Sequence, residues 1–144
     1  MNVQSKKPIT AAEQSILDRY AERRDTLRGD RAVKALRERL VDELEHSGLP
    51  SRRIEAWHYT DLRTLLKSVP DRFATETAAL VEPVVEDSIV LSIGNSGSAG
   101  ASLPPGASVY PYADMLDSGK AVQDMAPHGE DDFIGRVNGA FVSD

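Results

Sequence analysis

The chain of 144 residues contains no cysteine, which removes several kinds of chemistry at once. Disulphides, thiolate metal ligands and cysteine nucleophiles are excluded within these residues. Long apolar runs are also missing, because no stretch approaches the ~20 apolar residues of a membrane span. The first eight residues are polar and are not followed by the apolar run of a secretory signal. We therefore expect a cytoplasmic protein with no membrane partner.

Positive charge is scarce in the second half of the chain. Residues 1–80 hold 15 Lys and Arg against 13 Asp and Glu, whereas residues 81–144 hold 2 against 10. This change predicts two segments, a helical amino-terminal module over 1–80 and a small α/β segment over 81–144. An acidic second half repels a phosphate backbone, and the basic residues of the first half interleave with acidic ones. Nucleic acid is therefore not the expected partner.

Two helices are predicted in the first segment. Thr10 and Glu13 form a capping-box pattern that predicts a helix over 11–27. Asp30 is a second N-cap. Gly48 ends the helix that begins there, and Pro50 cannot continue it. Helices joined by a short link predict an antiparallel helical hairpin.

The second segment predicts a strand pair and a closing helix. Strands are predicted over 88–93 and 107–111, with a loop rich in glycine, serine and proline between them. A helical turn is predicted over 113–116. Residues 131–141 predict a helix whose first turn the acidic run 130–132 favours. The fold class is therefore predicted to be α+β. The predicted buried face of the last helix consists of Phe133, Ile134, Val137 and Phe141.

Residues 51–68 are the most distinctive stretch, because aromatic and aliphatic side chains alternate there with charged ones. We expect a packed corner in which Trp57 and ion pairs of Arg52 and Arg53 with Glu55 and Asp61 fix the path of the chain. On the assumption that the indole is buried, Trp57→Ala would cost ~3–5 kcal/mol.

Two functional alternatives use the same stretch. His58 with Glu55 and Asp61 could form a small metal-dependent or general-base site, as the only histidine flanked by aromatic residues. Arg52 and Arg53 with Trp57 could bind single-stranded nucleic acid. The other histidines have simpler interpretations, His46 as a cap in the last turn of a helix and His128 as a loop residue.

The run from Gly48 to Leu62, GLPSRRIEAWHYTDL, resembles the amino-terminal signature of the SufD branch of the iron–sulphur cluster assembly scaffolds, Leu-Pro-x-x-Arg-x-Glu-x-Trp-x-Tyr-Thr-Asp-Leu. Residues 89–95 and 103–106 resemble a strand with its turn and a Leu-Pro-x-Gly loop of that family, and residues 133–144 resemble its helix before an Asp-Gly pair. The positions on the signature are Leu49, Pro50, Arg53, Glu55, Trp57, Tyr59, Thr60, Asp61 and Leu62.

The resemblance implies a larger subunit and specific partners. In the family, a long right-handed parallel β-helix follows the last aspartate, so this chain is expected to be the entry module to a β-helix that it does not contain. The implied partners are a SufB-like paralogue and a SufC-like ATPase, and the full complex handles the iron–sulphur cluster. The resemblance implies no catalytic, cofactor-binding or metal-binding residue in this chain, and a structural role for the nine signature residues. We therefore expect a structural and interaction module that is not an enzyme.

Overall fold

The computed structural model describes residues 8–69, 82–94, 97–100, 103–127, 129 and 132–143. Contacts divide the chain into two compact units, a helical unit formed by 1–69 with 111–144 and a hairpin unit formed by 70–110. Two predicted features lie outside the described residues: the domain boundary after residue 80, and His128 as a loop residue. The boundary stays a prediction.

The helical unit consists of α-helices and 3₁₀ turns. Its 3₁₀ turns are Glu55–Trp57 and Lys120–Val122. No helix in the described part of the chain combines the length and the apolar character needed to cross a membrane. The α-helices are α1 (Ala11–Arg23), α2 (Arg31–Ser47), α3 (Leu62–Leu65), α4 (Tyr112–Asp117) and α5 (Phe133–Phe141).

The predicted capping box of α1 is confirmed. The Glu13 backbone N–H donates to the Thr10 hydroxyl at 3.2 Å, and the Thr10 N–H donates to the Glu13 carboxylate at 2.6 Å. The helix ends at Arg23 rather than at residue 27, because the next residues form a turn in which the Leu27 N–H still bonds to the Arg23 carbonyl. Leu27 thereby enters the core, where it is 3% exposed.

The predicted ends of α2 are confirmed as well. The Asp30 carboxylate accepts from the Val33 N–H at 2.9 Å, and Gly48 ends the helix with a φ of 66°. The Tyr20 hydroxyl of α1 donates to Glu38 of α2 at 3.0 Å. Since Ala12 packs in one cluster with Leu44, the two helices run antiparallel.

Two hydrophobic clusters form the core of the helical unit. The first cluster joins α1 and α2 to α4 and α5, with Tyr20 in edge-to-face contact with Phe141 at 5.9 Å. The second cluster lies at the other end of α1 and α2. Buried residues of the first cluster are Tyr20, Leu27, Val33, Leu36, Leu40, Leu116, Ala121, Met125 and Ala140. Those of the second are Ala12, Leu44, Leu49 and Phe133.

Three of the four residues predicted on the buried face of α5, Phe133, Val137 and Phe141, pack into the two clusters, and the helix begins at Phe133. The Asp132 carboxylate caps it by accepting from the Gly135 N–H at 2.8 Å. Ile134, predicted to be buried, is 49% exposed, whereas Gly139 and Ala140 are buried. The small residues allow α2 to approach closely, so the helix turns this side inward.

The prediction of an α+β fold with a strand pair over 88–93 and 107–111 is wrong, because the helical unit holds the core and these two segments do not pair with each other. Residues 107–111 form no strand and are exposed. Pro111 at the end of this range, like Pro105 before it, has no N–H to donate to a strand ladder. The extended segments in the described part of the hairpin unit are β1 (Leu91–Gly94) and β2 (Gly97–Gly100), which pair with each other antiparallel. The helical unit has no strand among its described residues.

We expect Gly139→Ala to lower the free energy of unfolding by about 1–2 kcal/mol, although alanine favours helices. A Cβ at this position would lie 2.6 Å from Leu40 Cδ1 and 2.8 Å from the Met125 carbonyl oxygen. Urea unfolding followed by circular dichroism measures the change. Gly129→Ala is the control, because nothing lies within 4 Å of its Cβ. Equal stability of the two variants would contradict the close approach of α2 and α5.

Candidate functional site

Residues 49–66, here called the Trp57 corner, follow α2 directly. Leu49 and Pro50 are buried at the start of the corner. The Leu62 N–H donates to the Pro50 carbonyl at 3.1 Å. This bond brings the start of α3 back to the end of α2, so the corner closes on itself.

Trp57 lies at the inner side of the corner. It ends the first 3₁₀ turn, packs against the second cluster and meets the Phe133 ring edge-to-face at 6.4 Å. The indole is half-buried rather than buried. The expected cost of Trp57→Ala is therefore lower than a fully buried tryptophan would give.

Asp61 and its neighbours begin α3. The Asp61 carboxylate accepts from the Thr64 N–H at 3.1 Å and so caps this short helix. Thr60 is half-buried, and Leu62 packs against the second cluster. These signature residues therefore have local structural contacts.

The carboxylate of Glu13 connects the corner to α1. It is 6% exposed and accepts hydrogen bonds from the Thr10 N–H at 2.6 Å, the Leu49 N–H at 2.6 Å and Arg63 Nη1 at 3.0 Å. Arg63 also donates to the Pro8 carbonyl. One buried charge thus joins the start of α1, the end of α2 and helix α3.

The pKa of Glu13 reflects this arrangement. Burial by itself raises the pKa of the carboxyl group, but the hydrogen bonds from Thr10 and Leu49 and the positive charge of Arg63 together hold it below its ordinary value. Glu13 is therefore ionised in the folded protein at neutral pH, and its charge is compensated.

Other signature residues lie on the outer side of the corner. Arg53 and Glu55 are exposed, and Tyr59 is 93% exposed with its ring at 4.8 Å from that of His58. The ion pairs expected between Arg52 or Arg53 and the acidic residues of the corner are not found in the described part of the chain. The arginine that pairs is Arg63, and its partner Glu13 is far away in sequence.

Sequence reasoning missed the main contacts of Glu13 and Arg63. The capping box indicated only one of the roles of Glu13. Arg37 was missed too: it is 1% exposed and donates to the carbonyls of Arg28 and Val142. Its place in α2 beside apolar positions was the only signal.

The residues of the alternative enzyme hypothesis are not brought together. His58 and Glu55 are exposed, and the Asp61 carboxylate is occupied as a helix cap. Within the described ranges no group of three or more His, Asp or Glu side chains could hold a metal ion. His46 bonds through Nδ1 to the Asp42 carbonyl at 2.6 Å, in the last turn of α2 as expected.

Comparison with protein families matches residues 10–81, half of the chain, to the SufBD protein N-terminal region. The chain belongs to the SufBD family. No curated protein and no solved structure matches it. The SufBD match covers α1, α2 and the whole Trp57 corner, and it links the chain to the scaffold family of SUF-type iron–sulphur cluster assembly. It fixes the family but not the SufD branch within it.

We expect Trp57→Ala to lower the free energy of unfolding by about 2 kcal/mol, because a half-buried indole and one aromatic pair are lost. The control Tyr59→Ala removes an exposed ring and should change stability by less than about 0.5 kcal/mol. Urea unfolding of both variants gives the comparison. A Trp57 variant as stable as the Tyr59 variant would show that the indole does not hold the corner.

We expect Glu13→Gln to lower stability by about 1–3 kcal/mol at pH 7, because Arg63 and the Leu49 N–H lose a charged acceptor. Since the folded-state pKa is below the ordinary value of 4.5, this stabilisation is fully present above pH 4.5 and is lost as the pH falls through the folded-state pKa. The measurement is urea unfolding at pH 7 and at steps below pH 4.5. The difference between wild type and variant should shrink with acid, while the exposed control Glu55→Gln differs little throughout. A constant difference would contradict the ionised state.

Proposed function

We propose that the chain is the amino-terminal module of a SufD-like scaffold subunit that acts in cytoplasmic iron–sulphur cluster assembly with a SufB-like paralogue and a SufC-like ATPase. The module has a structural and interaction role and no catalytic one. The observation that carries the proposal is the signature from Leu49 to Leu62, which lies within the family match and forms one closed corner.

The division of the corner into two sides supports an interaction role. Its inner side is held by Trp57, Leu62 and the bonded pair Glu13 and Arg63. Its outer side presents Arg53 and Tyr59 to solvent. Arginine and tyrosine are enriched among the residues that dominate binding energy in protein interfaces.

The chemistry of the chain supports a role without catalysis. The chain has no cysteine to ligate a cluster. Asp61 and Glu13, two carboxylates near the corner, are used as helix caps and in a buried ion pair. In this proposal the iron–sulphur cluster is the cargo of the full complex.

Co-purification tests the proposal. The subunit that carries this chain is co-expressed with its SufB-like and SufC-like partners, and association is measured after affinity capture. We expect Tyr59→Ala to weaken association by about 2 kcal/mol or more, as for a tyrosine at the centre of an interface, while urea unfolding stays as in wild type.

A matched control is Tyr110→Ala, because Tyr110 is 73% exposed and lies outside the corner. It should leave association unchanged. The proposal fails if the wild-type subunit captures neither partner, or if the two tyrosine variants behave alike.

A further inference from the structure

The Trp57 corner carries a concave basic pocket. Its volume is about 400 Å³, and its lining includes three guanidinium groups and one carboxylate. The lining residues, here called the basic pocket, are Ser51, Arg52, Arg53, Asp61, Arg63 and Thr64. The lining carries a net positive charge on a chain whose formal charge is −6.

Arg52 and Arg53 differ from most other arginines of the helical unit. Both are exposed, and in the described part of the chain neither has a hydrogen-bond or ion-pair partner. The carboxylate of the pocket forms no ion pair with them in the described part of the chain; Asp61 accepts instead from the Thr64 N–H. Arginines that do pair with a carboxylate are Arg24, Arg28, Arg39, Arg63 and Arg136.

The pocket has a fixed wall. Arg63 is held by Glu13 at 3.0 Å and by the Pro8 carbonyl, and its side chain is 15% exposed. Asp61 is fixed as the cap of α3. A ligand therefore meets a preformed concave surface and orders only the side chains of Arg52 and Arg53, which lowers the entropic cost of binding.

We propose that the basic pocket binds a carboxylate-rich segment of a partner protein. Guanidinium groups form bidentate, charge-assisted hydrogen bonds with carboxylates. The exposed Tyr59, two residues before Asp61 in the sequence, adds an aromatic side chain to the same corner. Nucleic acid is the weaker occupant, since the chain is acidic overall and repels an extended polyanion.

This inference rests on the proposed interaction role and adds the chemistry of the partner segment. The binding test uses the 144-residue chain and a fluorescent hexaglutamate peptide, measured by anisotropy at low salt. We expect binding that weakens as salt is added, because the charges of the pocket are exposed. Arg52→Glu with Arg53→Glu should weaken binding at least about tenfold, the effect of losing two charge-assisted contacts.

The matched control is Arg31→Glu with Lys34→Glu, which changes the net charge equally at exposed positions of α2. It should retain most of the binding. If the charge reversal in the pocket does not fold, as judged by circular dichroism, Arg52→Gln with Arg53→Gln replaces it and should still bind less than the control.

Two results would overturn the inference. One is equal weakening by the pocket and control variants, which means attraction to net charge only. The other is that an oligothymidine of similar length binds the wild-type chain more tightly than hexaglutamate does, and that the pocket variant loses this binding. That result would assign the pocket to nucleic acid.

The same variants separate this inference from the proposed function. If the pocket variant loses hexaglutamate but its subunit still co-purifies with both partners, the pocket serves another acidic segment and the proposed function stands. If hexaglutamate never binds while Tyr59→Ala disrupts co-purification, the pocket inference alone fails.

Discussion

The buried carboxylate of Glu13 is the interaction on which the arrangement of the helical unit depends. An ionised group away from water is costly unless hydrogen bonds and an opposite charge compensate it. Glu13 receives both, from the backbone at Thr10 and Leu49 and from Arg63. The three partners belong to separate stretches of the chain, so their geometry is fixed together.

This constraint explains how the outer side of the Trp57 corner can be polar and exposed. The inner contacts of Trp57 and Leu62, with the Leu62–Pro50 backbone bond, hold the corner. Arg52, Arg53 and Tyr59 are therefore not needed for the fold. Exposed arginine and tyrosine side chains that the fold does not use fit the interaction role proposed for this side of the corner.

Helix α2 is the second organising element, because it contacts both α1 and α5. Gly139 allows α5 to approach Leu40 closely. Arg37, buried in the same helix, donates to the carbonyls of Arg28 and Val142 and so fixes the end of α5. Two parts of the chain that are far apart in sequence therefore share one core.

The sequence alone determined what depends on neighbouring residues. The capping box at Thr10, the Asp30 cap and the helix end at Gly48 are local, because each bond joins residues a few positions apart. The signature of the corner also identified the family. Only the tertiary structure decided that Ile134 is exposed while Gly139 and Ala140 are buried, that Glu13 pairs with Arg63, and that residues 107–111 form no strand. These outcomes depend on contacts between residues distant in sequence, where burial and close packing override local preference.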